Sequence, residues 1–103
     1  MNKYLFLTTV LAVTAMAADT AAGKTAYERA CKSCHGVAGA PNAAIAKMLK
    51  VEMRDLASKE VQASSDDELK AIITDGKGKM KPVKSLSKDD VTNVVAYMRT
   101  MKK

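Results

Sequence analysis

Cys31-Lys32-Ser33-Cys34-His35 gathers into five residues both cysteines and the single histidine of a 103-residue chain. On a helix, positions i, i+3 and i+4 project from one face, so two thiols and an imidazole can approach one flat ligand together. The thiols can then bond covalently to the vinyl groups of a porphyrin while the next residue coordinates its iron. That is the physical content of reading Cys-x-x-Cys-His as a c-type haem attachment site. Three other chemistries compete for the same residues. Zinc wants four ligands, and these residues supply only three soft or borderline ones. A thioredoxin-type redox pair belongs beside a strand-helix-strand pattern, which the sequence lacks. A plain disulfide suits an oxidising compartment, but it would close only a tiny loop.

An attached haem needs a sixth iron ligand or an open site, and no second histidine exists. Methionine is the natural candidate. Met48, Met98 and Met101 fall on apolar helical faces, where filling the core is the simpler explanation; Met53 is less defined. Met80 stands apart in Gly76-Lys77-Gly78-Lys79-Met80-Lys81-Pro82, a loop by composition with no apolar stripe to belong to. His35 and Met80 would make a His/Met axial pair. A soft thioether favours ferrous iron and raises the reduction potential relative to a bis-His site. Pro41 follows the motif closely, and a carbonyl of that turn is placed to accept the free ring N–H of His35. Equally, Pro41 could do no more than begin the next helical region. Lys77, Lys79, Lys81 and Lys84 surround the methionine, either as solvated charges or as a rim that steers an acidic partner.

The elements that must position these residues read as all-α, without period-two alternation. A first helix is expected from Ala21 to Cys34. A second is capped by Asn42, with Ile45, Met48 and Leu49 on one face. In the third, Ser65 and Glu68 form a capping box, Leu69, Ile72 and Ile73 share a face, and Gly76 occupies the place of a left-handed C-terminal cap. Ser87 and Asp90 open the fourth with an acidic version of the same box, spanned by a Leu86–Val91 hydrophobic staple. Val91, Val94, Val95, Met98 and Met101 then line its buried side. Arg99, Lys102 and Lys103 suit the negative pole of that helix.

Composition bounds the rest. Residues 1–17 carry a positive Lys3, an apolar run from Tyr4 to Ala15 and a small-x-small Ala15-Met16-Ala17, the pattern of an export signal removed after Ala17. The apolar run is too short for a stable membrane anchor. Residues 18–103 then make one domain of about 86 residues, marginal for a self-sufficient core. Its only aromatics are Tyr27 and Tyr97, so a buried macrocycle would supply missing apolar surface. The formal charge of +6 favours acidic partners, whereas its spread-out lysines, without interleaved aromatics, argue against nucleic acid.

Taken together, Gly23 and Tyr27 ahead of Cys-Lys-Ser-Cys-His, then Gly-Lys-Gly-Lys-Met-Lys-Pro, then Val-Val-Ala-Tyr-Met-Arg resemble the short class I cytochromes c of bacteria. The resemblance implies an all-α cytochrome c fold, about four helices wrapped around one covalently attached haem c. It implies thioethers at Cys31 and Cys34, axial iron ligands at His35 and Met80, and a close crossing of the first and last helices at Gly23, Tyr27 and Tyr97. It implies a monomeric periplasmic electron carrier, not an enzyme, that meets redox partner proteins. The chain departs from many members in having no Trp, which leaves the propionate contacts unassigned.

Overall fold

The computed structural model describes residues 18–101. The expected export signal, residues 1–17, lies outside the described residues. Among those described, six α-helices and a final 3-10 turn succeed one another: α1 Thr20–Ala30, α2 Lys32–His35, α3 Ala43–Leu49, α4 Lys59–Gln62, α5 Asp66–Asp75, α6 Lys88–Met98 and Arg99–Met101. None is long and apolar enough to cross a membrane.

The helix starts obey local chemistry. Asp19 caps α1 by accepting from the N–H groups of Ala21 and Ala22, and both expected capping boxes form, Ser65 with Glu68 and Ser87 with Asp90. The dominant packing is α1 against α6. Gly23 makes it possible: a Cβ there would sit 2.0 Å from the Asn93 carbonyl oxygen and 3.0 Å from Tyr97 Cβ. The missing side chain lets the backbones touch. Tyr27 and Tyr97 meet one turn further on, ring centroids 5.4 Å apart and tilted by 58°, a favourable aromatic geometry. Asp19 N–H also donates to Asn93 Oδ1 at 3.0 Å, tying the start of α1 to α6. Tyr27, Val94 and Val95 are fully buried, and Leu56, Leu69, Ile73, Val91 and Met98 complete the core around them.

Several expectations are corrected. The first helix does not run unbroken to Cys34, because Cys31 leaves helical geometry at φ −123° and ψ −31°. Cys31 is thereby buried while Cys34 and His35 stay half-exposed. Met48 is 69 % exposed and so does not fill the core, whereas Met98 is buried and Met101 packs against the core's edge. Gly76 has positive φ (80°) but an extended ψ of 167°, a conformation open to glycine rather than a left-handed cap. Arg99 does more than face a helix pole: its guanidinium donates to the carbonyls of Gln62 and Ser64 at 2.8 and 2.6 Å and pairs with Asp66. It thus holds the end of α6 to the α4–α5 connection. The four-residue α4 was too short to leave a periodic trace.

Candidate functional site

The motif sits where α1 ends and α2 begins. Cys31 lies in the core cluster beside Ala26 and Tyr27, and burial pushes its thiol up to about 11, with the neighbouring Cys34 adding to the shift. At neutral pH it is therefore a protonated thiol, slow to react as a thiolate. Neither cysteine is in a disulfide. Burial lowers the pKa of the His35 imidazole, keeping it neutral, the form in which histidine ligates metal.

The backbone around the motif is closely held. Tyr27 reaches from α1 to donate its hydroxyl to the Gly36 carbonyl at 2.6 Å and, more weakly, to that of His35 at 3.3 Å. Asn42, at the start of α3, donates its side-chain amide to the Ser33 carbonyl at 3.1 Å and its backbone N–H to the Cys34 carbonyl at 2.9 Å. The segment between turns at Gly36, whose φ is 71° and whose Cβ would fall 2.2 Å from the Ala40 carbonyl oxygen. His35 Nδ1 is buried without a hydrogen-bond partner, so no carbonyl of the turn at Pro41 accepts from it in this structure. Pro41 instead leads into the Asn42 cap. Neither second role was legible in the sequence: Asn42 read only as a cap and Tyr27 only as a helix-crossing aromatic.

Met80 occupies a tight turn. Its N–H donates to the Lys77 carbonyl at 3.0 Å, and the Lys77 N–H returns to the Met80 carbonyl at 2.9 Å. Gly78 takes φ 58° at the first central position, as such a hairpin-like turn requires. At Gly76 a Cβ would meet the Met80 carbonyl oxygen at 2.7 Å and Pro82 at 2.9 Å. The Val83 N–H then donates to the Ile73 carbonyl at 2.8 Å, fastening the end of the loop to α5. Met80 is half-buried and packs against the same core cluster that contains Cys31. It therefore has core neighbours after all, which its polar sequence context concealed. Lys77, Lys79, Lys81 and Lys84 are all exposed.

The donor set fits a haem. Two free thiols, a neutral imidazole with an orphaned buried nitrogen and a soft thioether match the covalent and axial needs of a c-type haem. Among the described residues, no group of three or more His, Cys, Asp or Glu side chains converges on a metal-ion site.

Comparison with known proteins points the same way. The family model described as cytochrome c oxidase, cbb3-type, subunit III matches residues 18–98. A solved structure titled KustC0563 c-type cytochrome is 33% identical, with a TM-score of 0.67 over 79% of this chain and 98% of that one. No curated protein matches the chain. The chain therefore belongs to the c-type cytochromes of the cbb3-type subunit III family: it binds one haem c covalently, serves haem-based electron transfer and meets redox partner proteins.

Proposed function

We propose that this cytochrome is an exported, monomeric one-electron shuttle in which Cys31 and Cys34 form the thioethers and His35 and Met80 are the axial iron ligands. The observation that carries the reading is the shared core: Cys31 belongs to the cluster against which Met80 packs, and each is fixed by backbone hydrogen bonds on its own side. Cys31 and Cys34 would hold the haem by addition of each thiol across a vinyl group, the thiol hydrogen going to the adjacent carbon, so that attachment would consume no oxidant. His35 offers a neutral ring, and Met80 offers sulfur from a turn closed in both directions.

Bound to these residues, the haem supplies a one-electron iron couple. With His35 and Met80 both holding the iron there would be no vacancy for a substrate, and the consequence would be carriage rather than bond-making. The exposed lysines at 77, 79, 81 and 84 steer an acidic partner into a small, short-lived complex. Residues 1–17 direct export to the periplasm and are removed, leaving 18–103 as the mature domain; the family match begins at residue 18. Replacement of Met80 by Ala tests the ligand assignment. The haem should stay attached, the reduction potential should fall, and the reduced iron should bind carbon monoxide quickly and tightly, as the native protein does not. An unchanged potential would transfer the role to Met53 or another side chain.

A further inference from the structure

We infer that Asn42 and Tyr27 are positioning residues for His35, together setting the orientation in which its imidazole meets the haem iron. The inference rests on the proposed His35 ligation.

A helix end leaves its last carbonyls without intrahelical partners, and α2 is only four residues long. Its own geometry closes one of them, Lys32 O, through the Gly36 N–H at 2.9 Å. Every later carbonyl through Gly36 is closed by one of two residues. Asn42 takes Ser33 O and Cys34 O; Tyr27 takes His35 O and Gly36 O.

Both anchors are themselves fixed. Tyr27 is 1 % exposed and packed on Tyr97, so its hydroxyl is a rigid post rising from the helix crossing. Asn42 uses opposite ends of one amide: Oδ1 accepts from the N–H groups of Ala44 and Ile45 to cap α3, while Nδ2 donates to Ser33. Only a side chain that both accepts and donates does this. His35 stands on this backbone, with its Nδ1 buried. That backbone is what Asn42 and Tyr27 hold, and outer-shell groups of this kind commonly tune a metal ligand.

The test uses the haem-loaded protein and substitutions that spare the rest of each residue's work. Asn42→Asp keeps an acceptor for the α3 cap and loses the donor to Ser33; Asn42→Ser keeps the cap without added charge, its single short hydroxyl unable to cap α3 and reach the Ser33 carbonyl together. Tyr27→Phe keeps the ring and loses the hydroxyl. Ser65→Ala, which removes a cap remote from the motif, controls for stability loss alone. The readouts are the reduction potential and the pattern of paramagnetically shifted haem-methyl resonances of the ferric protein, which tracks the plane of the axial imidazole. The expected result is covalent haem in every variant, with a redistributed methyl pattern and a shifted potential in the Asn42 and Tyr27 variants and neither change in Ser65→Ala. An unaltered pattern and potential in the Asn42 and Tyr27 variants would overturn the inference, as would an equal change in Ser65→Ala. Native protein without covalent haem would instead overturn the proposed function on which it rests.

Discussion

The two sides of the site are built differently. His35 stands on a helix braced by Tyr27, which is itself locked into the dry crossing of α1 and α6. Met80 stands on a turn braced mostly by its own neighbours, with Gly78 facing open space and a single backbone bond from Val83 to α5. The His35 side is thus part of the fold's main packing contact, while the Met80 side is a local device attached to it. Damage to the packing of the first should be read out as lost stability. Damage to the second should be read out as changed redox behaviour in a protein that still assembles.

The largest expected effect is at the crossing. Gly23→Ala places a methyl 2.0 Å from backbone in α6, and separating the helices to admit it should cost about 3 kcal/mol. Denaturant unfolding of the haem-loaded protein measures this, and a loss under about 1 kcal/mol would mean that the helices part easily. Next comes Met80→Ala, with its retained haem and lowered potential. Gly76→Ala ranks third, at about 1–3 kcal/mol, since it demands a backbone region reserved for glycine and meets the Met80 carbonyl. Its potential should move with that of Met80→Ala, and an unmoved potential would uncouple the loop's backbone from ligation.

Tyr27 gives a smaller effect with a definite sign. Burial holds its phenol well above the ordinary 10.0, so the folded protein keeps this proton where the unfolded chain releases it. Stability from the neutral phenol is complete below pH 10 and declines as pH rises beyond it. Between pH 10 and 11 the native protein should lose about 1 kcal/mol more than Tyr27→Phe; parallel pH profiles for the two proteins would contradict this. The smallest effect belongs to Gly78→Ala. No atom lies within 4 Å of a Cβ there, leaving only the left-handed backbone to resist, at about 1 kcal/mol, with the potential unchanged.

Much of this was legible in the residues. The motif, both capping boxes and the apolar side of α6 are local patterns, and local patterns survive into structure. Gly23, Tyr27 and Tyr97 were placed through resemblance, and their contact appears as implied. What could not be read was long-range geometry: the break at Cys31, the outward-facing Met48, and Arg99 reaching across to the α4–α5 connection. Periodicity says which residues share a face, not what that face meets. Asn42 and Tyr27 are the instructive pair, since each carries an ordinary local signature and a second bond to a distant carbonyl.

Intact-mass measurement of the purified protein, combined with peptide mapping, tests the central claim most directly. The predicted result is a polypeptide beginning at Ala18 and heavier by one haem, with the added mass confined to the peptide bearing Cys31 and Cys34. A mass equal to the bare chain, with both thiols free to react, would contradict it.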